Sequence, residues 1–446
     1  MNNMDSNNLI GKKILIVTDS RVWSLGEGRN YRFKCLVSGF LKYGMSIDLV
    51  TSRKNMEPSE IESLRAAGID AIITGEDHVT NKQEKYLPKK IRDFTPNSII
   101  ILFRFIRKVF YEIILFLSFS NKKTPKISDI RSPLLPILVE KYVKKNKPDF
   151  ILVVYIMHSY ALQFLKNIPV NLRPVTMIDT NDVAYKRCES LRENSVKLSC
   201  IINRDEEREI LKKFDIVIAI QDEDRKIFAD MLPGSNVVTC YPSCQTITLA
   251  PIETKCKKTL IYVGGDSDPN YYGLMDFLER VWPQVIKAHP DAELIVVGTI
   301  CRKFEKKSYP CVSFRGYIEN LSQVYKDSCL AIAPVMFGGG LKIKVLEALL
   351  FGRPVVATGH SAIGFSGAVG HGLFVAEDWG SFANVINELV NNPSRIREAG
   401  KSAVDYVSRH FGEACVMKSL IAAMKSKLEE RNCISVSEEK MKWEVV

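Results

Sequence analysis

The sequence predicts an α/β protein built from two doubly wound, Rossmann-like domains that face each other across a cleft. Three observations support this fold class. Short apolar, β-rich runs alternate with helical patterns, as in parallel sheets covered by helices. The alternation occurs twice, on either side of a stretch rich in proline, serine, threonine and lysine, Tyr241 to Lys258. The length of 446 residues is enough for two or three domains with their own cores.

The first series of strands opens with β-rich runs at Lys13 to Thr18 and Ser46 to Thr51. Between them lie a glycine-containing loop, Ser24 to Asn30, and a helical pattern. This βαβ opening is that of a nucleotide-binding unit, in which Gly26 and Gly28 would let the backbone approach a ligand. Two spaced glycines are weak evidence, and both are equally explained as turn residues. The other strands of this series are predicted at Asp70–Thr74, Asp149–Tyr155, Val175–Asp179, Asp215–Ile220 and Val237–Cys240.

The second series predicts a second sheet. The stretch Tyr241 to Lys258 has no clear period and is interpreted as the interdomain linker. We therefore predict a first domain over residues 1–245, a second over 246–415, and a C-terminal helix with a loose tail over 416–446. The strands of the second domain are predicted at Leu260–Gly264, Glu293–Gly298, Val312–Tyr317, Leu330–Pro334 and Pro354–Thr358.

The stretch Phe337 to Thr358 carries the strongest functional signal and reads as loop, helix, turn and buried strand. Three consecutive glycines open it: Gly338, Gly339 and Gly340. They let the backbone come close to a ligand, and the start of the helix favours an anion such as a pyrophosphate. Lys344 and Glu347 share one face of the helix, as a cation for the diphosphate and a carboxylate for sugar hydroxyls. The alternative is a glycine-rich turn before an amphipathic helix with solvated charges.

This stretch resembles the donor-site signature of the family 4 glycosyltransferases in its glycines, in the lysine three before the glutamate, and in its Gly-x-Pro-Val-Val ending. The resemblance implies the GT-B fold and an enzyme that uses a nucleotide-sugar donor. It also implies that Glu347 holds the ribose of that donor. Many members carry a further glutamate, eight residues upstream, that contacts the donor sugar. Here that position is Gly339, so the resemblance does not identify the sugar.

A second segment, Val263 to Asn270, resembles the opening of the donor domain in the same family. Gly264 and Gly265 in it would let a loop approach the donor phosphates, although a tight strand-to-helix turn equally explains Gly265. The resemblance spans roughly Lys13 to Ala423 and is strongest in the second half. It implies that the helical residues near the C-terminus pack back across the first domain.

Residues 98–119 form a long apolar segment with charges at its middle. These charges disfavour a membrane span, because each would be costly at bilayer depth. Arg104, Arg107 or Lys108, and Glu112 recur at three and four residues, so they share one helical face. The pattern is typical of an interfacial helix on an anionic membrane surface, with the cations among the headgroups. The alternative is a buried helix of the first domain with a snorkelling charged face.

The run Met177 to Val183 places Asp179, Asn181 and Asp182 at the end of a predicted parallel strand, where ligand sites collect. The two carboxylates would line the acceptor side and orient a hydroxyl or act as a base. Capping of the next helix is the alternative. The run resembles an Asp-Thr-His-Asp segment of related transferases, but asparagine at position 181 cannot shuttle a proton. His158 is a weaker candidate, because a lone histidine is more often packed or exposed than catalytic.

The cysteine content, the N-terminus and the net charge limit the classes of cofactor and partner that we expect. Eleven cysteines at irregular positions favour reduced thiols, and neither a metal-ligand spacing nor a metal-binding DxD pair occurs, so no cofactor or metal is expected. The N-terminus lacks a secretory signal. The net charge is +11, but no nucleic-acid-binding fold or aromatic platform is recognisable, so no nucleic-acid partner is expected. Two charged segments, Glu206 to Arg208 and Asp222 to Arg225, are interpreted as solvated helix faces.

The residues and the resemblance together predict a glycosyltransferase of hexosyltransferase type. It would move a sugar from a nucleotide-sugar donor to a hydroxyl of a membrane-associated acceptor, a saccharide or lipid-linked precursor of a surface polysaccharide such as lipopolysaccharide. Asp179, Asp182 and Glu347 are the candidate catalytic residues, and retention of configuration is implied by the resemblance alone. The expected location is cytoplasmic, peripheral on the inner face of the cell membrane. The alternatives are a nucleotide-sugar epimerase and a non-catalytic protein that binds a sugar nucleotide or anionic lipid.

Overall fold

The computed structural model describes residues 9–23, 28–76, 124–243 and 258–443. Within them the chain forms two parallel sheets with helices between the strands, which confirms the predicted fold class. The first sheet has the strand order β3-β2-β1-β4-β5-β6-β7. Its elements are β1 (Lys13–Val17), α1 (Gly28–Lys42), β2 (Ser46–Val50), α2 (Pro58–Ala66), β3 (Ala71–Ile73), α3 (Leu134–Asn146), β4 (Phe150–Val154), β5 (Val175–Asp179), α4 (Ala184–Glu193), α5 (Arg204–Leu211), β6 (Ile216–Ala219), α6 (Asp222–Met231) and β7 (Asn236–Thr239).

The second sheet has six strands in the order β10-β9-β8-β11-β12-β13. Each pair of neighbours in both sheets is parallel. The elements of this part are β8 (Thr259–Val263), α7 (Asp268–Asp276), α8 (Trp282–Ala288), β9 (Glu293–Val297), β10 (Val312–Phe314), α9 (Ser322–Lys326), β11 (Leu330–Ala333), α10 (Ile343–Leu350), β12 (Val355–Thr358), β13 (Leu373–Ala376), α11 (Trp379–Val390), α12 (Pro393–His410) and α13 (Glu413–Trp443).

The strands form close to where the sequence predicts them, because a parallel sheet is covered on both faces and therefore needs continuous apolar runs. Every residue of β4 and of β12 is buried. Strand β13 is the exception, since the sequence analysis does not predict it. It has four residues and lies at the edge of the second sheet, where Val375 is 37% exposed. A strand this short and half-exposed has too little pattern to be recognised.

The last helix, α13, leaves the second sheet and packs on the first, as the resemblance implies. At its start the Nζ atom of Lys42 lies 2.7 Å from the Glu413 carboxylate. Further along, an Nη atom of Arg431 lies 2.7 Å from the carboxylate of Asp215. These pairs join the C-terminal helix to α1 and to the residue that precedes β6.

An aromatic contact lies where the chain passes between the two sheets. Phe411 stands between α12 and α13, and its ring meets the ring of Tyr241 edge-on, with centroids 5.1 Å apart. Phe365 of the second domain lies 5.9 Å from Phe411 on the same measure. Residues 244–257 of the predicted linker lie outside the described residues, so the domain boundaries stay predictions.

Helix α4 begins against a buried carboxylate. The Glu207 side chain is 0% exposed and accepts hydrogen bonds from the amides of Ala184 and Tyr185, at 3.0 and 2.8 Å. Burial raises the pKa of Glu207 to about 7 and that of Asp224, which is also buried, to about 6. The interpretation of these two segments as solvated helix faces is therefore wrong for these residues. The alternative in which Asp179 or Asp182 caps α4 is not observed, because Glu207 binds the free amides.

Candidate active site

The carboxyl ends of both sheets face a cleft of about 740 Å³. Ligand sites in open α/β sheets collect at these ends, so the cleft is the candidate site. Residues one or two positions after the strand ends line it on both sides: Tyr155, Asn181 and Ile220 from the first domain, and Gly264, Gly298 and Val335 from the second.

The predicted glycine loop lies between β11 and α10 and lines this cleft. Gly338 and Gly340 have φ angles of 106° and 68°, which favour glycine. The loop packs against the first domain: a Cβ on Gly340 would stand 2.9 Å from the carbonyl oxygen of Asn181. The amide of Gly338 already donates a hydrogen bond to Ser190 Oγ at 2.9 Å. The glycines therefore also serve the junction between the domains, which the sequence analysis does not predict.

Lys344 and Glu347 lie side by side on α10 and both line the cleft. The Lys344 Nζ atom donates to Asn270 Oδ1 at 2.7 Å and Tyr262 Oη at 2.9 Å, and lies 4.3 Å from the centre of the Tyr262 ring. The Glu347 carboxylate accepts a hydrogen bond from Tyr325 Oη at 3.2 Å. Burial lowers the pKa of Lys344 to about 7 and raises that of Glu347 to about 7. We therefore expect both groups to titrate near neutral pH.

A second lysine, Lys342, holds the loop and is missed by the sequence analysis. Its Nζ atom donates to the carbonyl oxygens of Gly339 and Gly340, at 3.2 and 2.9 Å. Burial lowers its pKa to about 8. Its place two residues before Lys344, at the end of a glycine loop, is the signal that could have found it.

The loop after β8 also lines the cleft, beside α10. Gly264 and Gly265 both line it, as predicted, and Asn270 Nδ2 donates to the Gly265 carbonyl oxygen at 2.9 Å. The end of β9 lies directly beside this loop: a Cβ on Gly298, whose φ is 109°, would stand 2.2 Å from the Gly264 carbonyl oxygen. Only glycine fits at position 298, so a smooth backbone surface faces the cleft there.

The two predicted first-domain carboxylates have different surroundings. Asp182 lines the cleft, and its Oδ2 atom lies 3.2 Å from Arg187 Nη1. Asp179 is 1% exposed, is not part of the cleft lining, and lies 2.9 Å from Arg32 Nη2. The geometry therefore supports an acceptor-side role for Asp182, while Asp179 neutralises a buried arginine. Asn181 lies between them with a φ of 62°, a strained conformation of the kind found at functional sites.

The other predicted residues lie elsewhere. His158 is buried, and its Nδ1 atom lies 2.7 Å from the Val154 carbonyl oxygen, so it is a packed residue; burial lowers its pKa. Gly28 begins α1, whereas Gly26 lies outside the described residues. The predicted membrane-contacting residues also lie outside the described residues: Arg104, Arg107 and Lys108.

The described part of the chain lacks two features. None of its helices is long and apolar enough to cross a membrane. Across the same residues, no group of three or more histidine, cysteine, aspartate or glutamate side chains is arranged to hold a metal ion.

Comparisons with known proteins place this geometry in context. Residues 257–392 match the family model described as glycosyl transferases group 1. A relative from Klebsiella pneumoniae, described as an uncharacterized 44.6 kDa protein in the cps region, is 24% identical over 382 residues, which cover 81% of this chain and 92% of the relative.

Solved structures share the fold at low sequence identity. A mutant of S. aureus TarM, in complex with fondaparinux, alpha-GlcNAc-glycerol and UDP, has a TM-score of 0.65 at 14% identity, covering 93% of this chain and 99% of the other. Sucrose-phosphate synthase from Thermosynechococcus elongatus has a TM-score of 0.63 at 14% identity, over 95% and 100%. Anabaena HepE, in complex with UDP and glucose, has a TM-score of 0.59 at 14% identity, over 93% and 100%.

The two facing parallel sheets and the cleft between them define the GT-B fold. The chain is a glycosyltransferase of this fold, and its residues 257–392 match the glycosyl transferases group 1, as the resemblance of the glycine loop and its helix implies.

Proposed function

We propose that this glycosyltransferase moves a sugar from a nucleoside diphosphate sugar to a hydroxyl of a saccharide or lipid-linked acceptor in the synthesis of a surface polysaccharide. The observation that carries the proposal is the placement of Lys344 and Glu347, side by side, in a cleft lined by both domains. Retention of configuration is part of the proposal and is supported by the resemblance alone.

The donor would lie along the start of α10. Lys344 would offset the charge that grows on the leaving diphosphate, and Glu347 would accept a hydrogen bond from a ribose hydroxyl. The described residues offer no hydrogen-bond partner to the amides of Gly339 and Gly340, which could therefore donate to a phosphate oxygen. The amide of Gly338 is excluded from this role because it binds Ser190.

The acceptor would enter from the first-domain side. Asp182 Oδ2 is held by Arg187, so Oδ1 could accept a hydrogen bond from the acceptor hydroxyl. Closing the two domains around the donor would exclude water and limit hydrolysis. We propose that no metal participates, which turnover in the presence of a chelator tests.

The relatives support the class of substrates. UDP is bound in the structures of the TarM mutant and HepE, and alpha-GlcNAc-glycerol is also bound in the former. The Klebsiella relative is described by its place in the cps region. We also propose that Arg104, Arg107 and Lys108 hold the enzyme on the inner, anionic face of the cell membrane. Sedimentation with anionic vesicles, before and after replacing all three by glutamine, tests this part.

A nucleotide-binding screen tests the donor site. We expect one of UDP, GDP, TDP, CDP and ADP to stabilise the wild type in a thermal shift assay. A ligand at a hundred times its Kd adds about 2.7 kcal/mol to the free energy of unfolding. The variant Glu347→Ala should lose most of this stabilisation, because it lacks the ribose contact.

The matched control is Glu398→Ala, which removes an exposed glutamate of α12 that lies outside the cleft. It should respond to the nucleotide like the wild type. Stabilisation by none of the five nucleotides would remove the assignment of this cleft as a donor site.

Donor affinity should also depend on pH, with a maximum near pH 7. Lys344, whose pKa burial lowers to about 7, loses its charge as the pH rises through this value, which weakens diphosphate binding. Glu347, whose pKa burial raises to about 7, is protonated as the pH falls, which weakens its hydrogen bond with the ribose. Each decline should be smaller than a tenfold change in Kd per pH unit, because each group supplies only one of several contacts to the donor. Calorimetry with the nucleotide sugar from pH 5.5 to 9 measures it.

Two variants separate the two declines. Lys344→Arg keeps a positive charge at all these pH values and should reduce the decline above pH 7, leaving the part that Lys342, with a pKa of about 8, contributes. Glu347→Gln cannot ionise and should remove the decline below it. A wild-type Kd that stays constant between pH 6 and 8 would contradict the expected titration.

A further inference from the structure

We propose that Arg187, on the first domain, binds the diphosphate of the donor, so that a cation of one domain completes the donor site of the other. The inference rests on the proposed function and adds a residue that neither the glycine loop nor the group 1 match assigns. It starts from the contact between α4 and the glycine loop.

Helix α4 holds Arg187 over the donor loop. A Cβ on Gly339 would stand 3.0 Å from the Arg187 Cβ atom, so backbone and side chain meet without a gap. Ser190, one turn further along α4, accepts the hydrogen bond from the Gly338 amide at 2.9 Å. The buried Glu207 carboxylate fixes the start of the helix through two backbone amides. The position of Arg187 is therefore fixed by contacts outside its own side chain: the packing against Gly339, the Ser190 hydrogen bond and the Glu207 carboxylate.

The guanidinium group of Arg187 has N–H donors that make no hydrogen bond to the described residues. Arg187 Nη1 lies 3.2 Å from Asp182 Oδ2, and among the described residues Asp182 is its only hydrogen-bond partner. The Arg187 side chain is 28% exposed and lines the cleft. The Asp182 carboxylate raises the pKa of Arg187 further, so the group is a permanent cation. Its planar fork of N–H groups matches two oxygens of a phosphate.

The two lysines with which the second domain lines the cleft, Lys342 and Lys344, already make hydrogen bonds within the protein. Lys344 Nζ donates to Asn270 and Tyr262, and Lys342 Nζ donates to two carbonyl oxygens of the loop. Burial lowers the pKa of Lys344 to about 7 and of Lys342 to about 8, so at neutral pH neither is fully charged. The diphosphate of a nucleotide sugar carries two negative charges, and a third develops as the sugar leaves. Arg187 can offset this charge at any pH.

A cation that reaches across the cleft should act on the diphosphate and not on the nucleoside. Arg187 faces the glycine loop, whereas Glu347, the proposed ribose contact, lies in the second turn of α10. Removing the guanidinium group should therefore weaken binding of a nucleoside diphosphate and leave a monophosphate of the same base nearly unaffected. This difference separates a phosphate contact from a purely structural role.

The test is calorimetry on the full chain with each diphosphate of the screen and the monophosphate of the same base. Arg187→Gln should raise the Kd of the diphosphate by about 10- to 100-fold, as expected for a lost hydrogen bond to a charged group. The Kd of the monophosphate should change less than about threefold. Arg187→Lys, which keeps the charge without the fork, should restore part of the loss.

The control is Arg192→Gln, on the same helix, which is exposed and outside the cleft lining, and should leave both Kd values unchanged. Equal weakening of diphosphate and monophosphate, or no weakening of either, would overturn the inference while the donor site stands. A wild type that binds no nucleotide removes the proposed function and this inference with it.

Discussion

Replacing Arg32 by methionine should lower the free energy of unfolding by about 3–5 kcal/mol, the cost of leaving one member of a buried ion pair without its partner. Arg32 is 2% exposed, and its Nη2 atom lies 2.9 Å from Asp179 Oδ1. The other terminal nitrogen, Nη1, donates to the carbonyl oxygen of Cys240, which directly follows β7. The pair therefore joins α1, β5 and the start of the interdomain segment. Urea denaturation measures the loss.

The surface pair of Lys42 and Glu413 provides the control. The Lys42 side chain is 62% exposed, so Lys42→Met should cost about 0–1 kcal/mol. The double variant Arg32→Met with Asp179→Leu removes both charges and should recover much of the stability that Arg32→Met alone loses. If it also keeps transferase activity, Asp179 is structural; loss of turnover is assigned to Asp179 only if Arg32→Met alone stays active, because Arg32 itself lines the cleft.

Gly340→Ala should reduce kcat/KM by about 100-fold or more, because it displaces the donor loop from the first domain. The new Cβ would stand 2.9 Å from the carbonyl oxygen of Asn181, and a φ of 68° costs any L-residue about 1–2 kcal/mol. Initial rates at saturating and limiting donor measure the effect.

Gly234→Ala is the matched control. Gly234 has a φ of 81°, and nothing lies within 4 Å of the position that a Cβ atom would take there, so the substitution carries the backbone cost without the collision. It should lower the free energy of unfolding by about 1–2 kcal/mol and leave activity unchanged. Similar losses of activity in both variants would show that the junction at Gly340 has no special importance.

The fold could be predicted because a parallel strand that is covered on both faces is a continuous run of apolar residues, which can be recognised in the sequence. Phe150–Val154 and Val355–Thr358 are continuous apolar runs, and the helices between them follow from their length and period. The limit of this signal is Leu373–Ala376, which is short and half-exposed. These four residues and the two glycines near them contain no pattern that distinguishes an edge strand from a loop.

The sequence predicts only those parts of the site whose residues lie close together along the chain. Lys344 and Glu347 lie three residues apart within one stretch, whose resemblance to a donor-site signature singles them out, and the structure places both in the cleft. The contacts of Arg32 with Asp179 and of Ser190 with Gly338 join residues 147 and 148 positions apart, which no local pattern records. Glu207 shows the same limit: its charge predicts exposure, and only the distant start of α4 explains its burial.

The contact between Tyr241 and Phe411 lies between the two halves of the chain. Tyr241 follows β7, the last strand of the first sheet, and Phe411 lies between α12 and α13, the helix that packs on that sheet; their ring centroids are 5.1 Å apart. Ser190 and Gly338 join the halves at a second place, the glycine loop. We therefore expect a movement that separates Ser190 from Gly338 to change the packing of these two rings as well.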